Sequence, residues 1–212
     1  MPLEYATNRS VFCDNTLYIN NYVLIPRPET ELLVDFAEKE IIKLKPKLIY
    51  DVGTGSGAIA IALGNFINKN RIDSRIIALD ISNRALNVAR HNIKKYKLQK
   101  TITLKKSYLL AAVKRPADLI VANLPYVPTR KCKKLADPHI ALDGGLRGID
   151  LIFKLIKQIH DYNLLTPDGS IILEIGHNQS KAITNFINKN NLFSSIKIQK
   201  DLNDFDRIIV IK

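Results

Sequence analysis

The sequence of 212 residues has no tryptophan, one methionine and only two cysteines, Cys13 and Cys132. Those two lie far apart and form neither a CxxC pair nor a Cys/His cluster with metal-ligand spacing. No metal site is expected, and both are read as reduced thiols of a cytoplasmic protein. Long apolar stretches are missing too: a run such as Ala58 to Leu63 falls far short of the ~18 residues of a membrane span. No basic segment followed by an apolar run opens the chain, so neither export nor a membrane partner is expected. There is no internal repeat or low-complexity tract, which excludes fibrous and disordered classes.

What is present is the composition of one ordinary globular domain, 46% hydrophobic and 25% charged. A chain of this length buries about 70% of its unfolded surface, so its core needs no staple. Thirty-two Lys and Arg against 20 Asp and Glu give a net charge of +12. That balance suits nucleic acid, a ribosome or an acidic protein as partner. The lysines read as spread along the chain among many Asn and Ile, a mix that compositional drift also produces.

Residues 1–27 read as an N-terminal extension, with Ser10 to Cys13 and Leu17 to Asn20 forming a small hairpin around Asp14-Asn15. Residues 28–212 read as one α/β domain. Pro28 suits the first position of a helix, and Leu33, Phe36, Ala37, Ile41 and Leu44 recur at helical spacing until Pro46. An alternation follows: strands at 48–52, 75–81, 101–105, 118–122 and 170–175, with helices at 58–66, 83–96, 149–159 and 181–187. Such a βαβα series predicts a parallel sheet covered on both faces. The last two strand-like runs, 195–199 and 207–211, are joined by too short a connection for a crossover helix, so they must pair antiparallel.

Asp51-Val52-Gly53-Thr54-Gly55-Ser56-Gly57-Ala58 lies where the first of these strands turns into a helix, the context a ligand-binding glycine loop requires. Asp80 closes the next strand, where a carboxylate can accept hydrogen bonds from ribose hydroxyls. The loop alone does not separate NAD from other adenosine cofactors, and a plain strand-to-helix turn would use the same glycines. Asp51 just before the first glycine and the terminal hairpin shift the reading to S-adenosylmethionine. Its α-carboxylate suits a helix N-terminus, and its α-ammonium suits a carboxylate such as Asp51.

Asn123-Leu124-Pro125-Tyr126 follows the strand at 118–122, at the edge of the sheet where α/β proteins bind ligands. Pro125 holds Leu124 extended and removes one N–H, which leaves the Leu124 carbonyl available to a cleft. An amide or aromatic amine has a delocalised nitrogen lone pair. To attack a methyl group it needs acceptors on its N–H hydrogens, here Asn123 Oδ1 and the Leu124 carbonyl, while Tyr126 stacks on the flat group. The alternative is a strand-ending turn in which Asn bonds backbone and Tyr packs.

With these motifs in place, the sequence resembles the HemK/PrmC family, the N5-glutamine methyltransferases of class-1 peptide chain release factors. The resemblance is carried by Val23-Leu24-Ile25-Pro26-Arg27-Pro28-Glu29-Thr30-Glu31, then Asp51 to Gly57, Asp80-Ile81-Ser82, Asp118 to Tyr126, Ala141 to Gly145, Glu174-Ile175-Gly176 and Asp206-Arg207. It implies a class I methyltransferase fold, a Rossmann-like seven-stranded sheet with a C-terminal antiparallel hairpin. It also implies S-adenosyl-L-methionine as donor and the glutamine of a Gly-Gly-Gln loop as acceptor. On this similarity Asp51, Gly53, Thr54, Gly55, Ser56, Gly57, Asp80, Tyr108 and Asn123 hold the cofactor, and Asn123, Leu124, Pro125 and Tyr126 hold the glutamine. Tyr108 stands where the family often has an aromatic beside the adenine, a position equally open to a core residue. Arg27 and Thr30 either meet the substrate or fix their helix over the site.

Departures from the family pattern are Leu124 in place of the first proline of Asn-Pro-Pro-Tyr, Ser107 in place of Asp, and Arg147 in place of an acidic residue. Family members usually carry an N-terminal helical domain, and this sequence opens in the segment that follows it. Competing readings are a ribosomal-protein glutamine methyltransferase, an RNA or DNA amino-methyltransferase, and a non-catalytic S-adenosylmethionine-binding module. Steep salt-dependent RNA binding would favour the nucleic-acid enzyme. Cofactor binding without transfer would favour the module.

Overall fold

The computed structural model describes residues 2–132 and 137–212. Helix α1 (Leu3–Thr7) leads into a hairpin of β1 (Arg9–Phe12) and β2 (Asn15–Tyr18), and α2 (Pro28–Leu44) opens the alternating series. The series runs β3 (Leu48–Val52), α3 (Ala58–Lys69), β4 (Arg75–Asp80), α4 (Asn83–Lys95), β5 (Ile102–Lys106) and β6 (Ala117–Ala122). After the short helices α5 (Thr129–Cys132) and α6 (His139–Leu142) come α7 (Asp150–Asp161), β7 (Leu165–Glu174), α8 (Ser180–Lys189), β8 (Ile196–Lys200) and β9 (Asp206–Ile211).

Seven strands form one sheet in the order β5-β4-β3-β6-β7-β9-β8. The first five are parallel, and β9 pairs antiparallel with both β7 and β8, as the short connection before it requires. Alternate residues of each inner strand feed two cores. Ile49, Leu119, Val121 and Ile172 pack with α2, α3 and α4, whereas Tyr50, Ile120, Ile171 and Leu173 pack with α7 and α8. The chain order reverses between β3 and β6, and at such a switch point the loops diverge and leave a cleft at the carboxyl ends of the strands.

Three expectations shift. The hairpin turns at Cys13 and Asp14, with φ of 43° and 59°, one residue earlier than the sequence suggests. Two left-handed residues make the tight turn whose twist matches the strands, and Asn15 Nδ2 braces it by donating to the Cys13 carbonyl at 2.6 Å. Strand β7 begins at Leu165 rather than 170, because Pro167-Asp168-Gly169 masks a bulged start that pairs Leu165 with Ala117 and Ser170 with Leu119. The positive charge is not spread evenly either. From Ile81 to Ala117 there is no acidic residue and there are ten Lys and Arg, while the rest of the chain nearly balances. All ten side chains are exposed on α4, the turn after it, the edge strand β5 and the loop that follows, and none pairs with a carboxylate among the described residues. Among the described residues no helix is long and apolar enough to cross a membrane.

Candidate active site

A cavity of about 600 Å³ opens at the switch point, within the range of a small-molecule site. Its floor is the glycine loop after β3, and one wall is the end of β4 with Asp80. Another wall is Asn123 to Pro125 after β6, and Val23, Leu24 and Pro26 of the N-terminal extension close the top.

The glycine loop is built for close approach. Gly53, Gly55 and Gly57 have φ of 80°, 54° and 83°, conformations that cost a side-chain-bearing residue roughly 1–2 kcal/mol each. A Cβ on Gly53 would also lie 3.1 Å from Leu124, so the loop and the Asn-Leu-Pro-Tyr segment touch because Gly53 has no side chain. Asp80 fixes the loop by accepting from the Gly55 N–H at 2.9 Å, and its other oxygen accepts from the Ser82 N–H at 2.8 Å. Burial pushes the Asp80 carboxyl above the usual range, opposed by those backbone donors. Gly53, Thr54, Gly55 and Ser56 line the cavity, while Gly57 lies behind them against Ala89 of α4. Asn92 of α4 stitches the loop to the hairpin: its Nδ2 donates to the carbonyls of Ser56 (2.9 Å) and Tyr18 (2.8 Å), and its Oδ1 accepts from the Tyr18 N–H.

Asp51 is wholly buried beneath the loop and is not on the cavity wall. One oxygen accepts from Thr54 Oγ1 at 2.6 Å, and Oδ1 has no hydrogen-bond partner among the described residues. Burial pushes its carboxyl up to about 7, with the Thr54 bond opposing and Asp80 adding. An unpartnered buried oxygen costs roughly 1–3 kcal/mol. A cation seated over the loop would offset part of that cost, so the residues present fit a cofactor carrying an ammonium group. Tyr108 is 41% exposed on the cavity wall, which removes the core reading, and Lys154 Nζ donates to its hydroxyl at 3.3 Å. Ser107, by contrast, is buried and its Oγ accepts from the Ala112 N–H, so it holds the following turn.

Asn123, Leu124 and Pro125 line the cavity, and Tyr126 does not. The Tyr126 hydroxyl instead donates to Glu174 Oε1 at 3.0 Å, and its pKa is raised by burial and by that carboxylate. Asn123 Nδ2 donates to Thr30 Oγ1 at 2.9 Å, and Thr30 Oγ1 in turn donates to Glu174 Oε2 at 2.6 Å. Among the described residues no donor bonds Asn123 Oδ1 or the Leu124 carbonyl, which are the two acceptors the segment was expected to offer.

The loop 143–148 presses the segment into place. Gly144 N–H donates to the Val127 carbonyl, and a Cβ on Gly144 would lie 2.5 Å from the Pro125 carbonyl. Arg27 turns away from the cavity to Asp137, which also accepts from the Tyr5 hydroxyl (2.7 Å) and the Ile25 N–H (3.3 Å), so one carboxylate ties the extension to the segment before α6. Asp137, Glu174 and Asn92 carry no functional signal by type or spacing, since their partners lie 36 to 144 residues away in sequence.

A family model for Ribosomal protein L11 methyltransferase (PrmA) matches residues 28–138, just over half of the chain. A release factor glutamine methyltransferase from Streptococcus pneumoniae is 34% identical over 99% of this chain and 74% of its own length. One of the same description from Clostridium botulinum is 35% identical over 99% and 75%. Among solved structures, a ribosomal protein L11 methylase from Lactobacillus delbrueckii superposes with a TM-score of 0.62 at 25% identity, covering 92% of this chain and 83% of that one. An SAH-bound methyltransferase from Podospora anserina shares the fold alone, with a TM-score of 0.57 at 17% identity over 89% and 79%. The architecture is that of the class I methyltransferases.

Proposed function

The chain belongs to the release factor glutamine methyltransferase family, and from that footing we propose that it transfers a methyl group from S-adenosylmethionine to the side-chain amide nitrogen of the glutamine in a release factor's Gly-Gly-Gln loop. What carries this reading is that Asn123 and Leu124 line a cavity whose floor is a glycine loop, and that among the described residues no donor takes Asn123 Oδ1 or the Leu124 carbonyl.

The cofactor supplies an electrophilic methyl group on a sulfonium. Gly53 to Ser56 would give it a floor of backbone, Asp80 would accept from its ribose hydroxyls, Tyr108 would face its base, and Asp51 would supply negative charge beneath the loop. The two acceptors then hold both N–H hydrogens of the glutamine amide and favour a pyramidal nitrogen, whose lone pair forms the N–C bond as the C–S bond breaks. The nitrogen loses a proton afterwards, so no general base is needed before attack. Leu124 serves through its carbonyl, which explains why leucine can stand where the family usually has proline. Tyr126 acts by orienting Glu174 and the segment rather than from the cavity wall.

The ten exposed cations between Arg84 and Arg115 are assigned, in the same proposal, to contact with nucleic acid or a ribosomal surface. A transfer assay with radiolabelled cofactor tests the central assignment. Label should enter a release factor carrying Gly-Gly-Gln and not the variant carrying Gly-Gly-Glu. Equal labelling of both would reject the amide as acceptor.

A further inference from the structure

We propose that Thr30 and Glu174 are positioning residues that set the hydrogen-bond polarity of Asn123, so that its amide oxygen rather than its NH2 faces the cavity. This deepens the reading above, in which Asn123 Oδ1 accepts from the substrate amide.

The two ends of an asparagine amide are nearly identical in shape, so packing alone does not choose between them. A site whose Asn presents oxygen welcomes an N–H donor. The same site with the amide turned over presents NH2, repels a nitrogen that becomes positive during attack, and welcomes a carbonyl or carboxylate. Something must therefore fix the orientation, and the network behind Asn123 does so by elimination.

Glu174 ends β7 and is 1% exposed. As a carboxylate it only accepts, so the two hydroxyls beside it, Thr30 at 2.6 Å and Tyr126 at 3.0 Å, must both donate to it. Thr30 has one hydroxyl hydrogen, and Glu174 takes it. Thr30 Oγ1 can then only accept from Asn123, which must offer Nδ2 at 2.9 Å and so turn Oδ1 the other way. The direction of each bond follows from the one behind it, and the carboxylate is the fixed end.

Burial, with Glu29 of α2 adding, pushes the Glu174 carboxyl above its usual range, and the hydroxyls of Thr30 and Tyr126 and Arg207 of β9 oppose that shift by favouring the ionised form. A proton on Glu174 would let the carboxyl donate to Thr30, free Thr30 to donate to Asn123, and remove the preference for Oδ1 facing out. The relay thus explains how one site can select a glutamine amide over a glutamate carboxylate of the same shape.

Thr30 is 3% exposed, and valine has nearly its shape without the hydroxyl, so Thr30→Val cuts the relay and leaves Glu174 Oε2 and Asn123 Nδ2 without that partner. Turnover on intact release factor should fall about 10- to 100-fold, in the range for loss of one oriented polar contact, with the cofactor dissociation constant little changed. Thr30→Ser should recover most of the turnover. Wild-type turnover should decline on the acid side as Glu174 takes a proton, and Thr30→Val should lose that limb. Full turnover in Thr30→Val, or an equal loss in Thr30→Ser, would overturn the proposal.

A second readout needs no substrate. In nitrogen-15 NMR of the wild type, one Asn123 side-chain amide proton should be shifted downfield and slow to exchange, unchanged in Thr30→Ser and lost in Thr30→Val. An unshifted, fast-exchanging amide in the wild type would overturn the relay even if the enzyme methylates glutamine. A relay seen by NMR in a protein that does not methylate glutamine would overturn only the substrate.

Discussion

Each residue at the site carries one physical task, and the tasks separate by experiment. Asp51 is the sharpest case, because its folded-state carboxyl sits near 7 rather than its ordinary 3.8. The folded protein therefore holds a proton that the unfolded chain has released, and stability falls as pH rises from about 4 to 7. Asp51→Asn should raise the melting temperature above pH 7 and change it little below pH 4, as read by calorimetry. The same substitution should weaken cofactor binding, and wild-type affinity should drop as pH falls through about 7 and Asp51 loses its charge. Asp80→Ala should mainly raise the cofactor dissociation constant, whereas Asn123→Ala should lower turnover by about 100-fold with cofactor affinity nearly intact, since it removes an acceptor used most in the transition state. Isothermal titration and steady-state kinetics on the two variants check the split. Asp51, Asp80, the glycines and Asn123 were legible in the sequence because each belongs to a local run. Glu174 stood out only through its place in a matching segment, and the direction Thr30 faces, toward Asn123 rather than a ligand, depends on contacts far along the chain.

Among the elements, the alternation of strands and helices was legible almost throughout, because period-2 and period-3.6 apolar patterns dictate which faces meet the two cores. The elements that escaped are short or irregular. Helix α1 has five residues and one buried side chain, and α5 and α6 have four residues each, too few for a periodic signal. The small N-terminal elements nevertheless brace the site, since β2 is tied to the glycine loop through Asn92 and the extension is tied to the segment before α6 through Asp137. Asn92→Ala should destabilise the fold by about 1–3 kcal/mol, because it strands the buried Ser56 carbonyl and a Tyr18 N–H without partners. Denaturant unfolding reads that loss. A change within about 0.3 kcal/mol would mean that water replaces all three bonds.

For the whole molecule, the distribution of charge says more than its sum. One edge of the sheet and the helix beside it carry ten exposed cations with no acid among them, while the remaining surface is nearly balanced. Lysines on an edge strand also discourage strand-to-strand association, which accounts for Lys105 and Lys106 but not for Arg90 and Lys94 on the outer face of α4. Binding to a fluorescent RNA hairpin should weaken steeply with salt, and Arg90→Glu with Lys94→Glu should flatten the slope by about two phosphate contacts. A slope unchanged by that pair would place the contact elsewhere. The charge segregation was present in the sequence, but the even look of the lysine content hid it. Its meaning depended on α4 and β5 being neighbours at an edge.

The central claim is that two acceptors on one wall of the cavity present a glutamine amide to a methyl group. Tandem mass spectrometry of a release factor incubated with the protein and S-adenosylmethionine tests it most directly. The account predicts one added methyl, on the side-chain nitrogen of the Gly-Gly-Gln glutamine, and its absence with Asn123→Ala. A release factor left unmodified by a protein that binds the cofactor, or a methyl found on another residue, would contradict it.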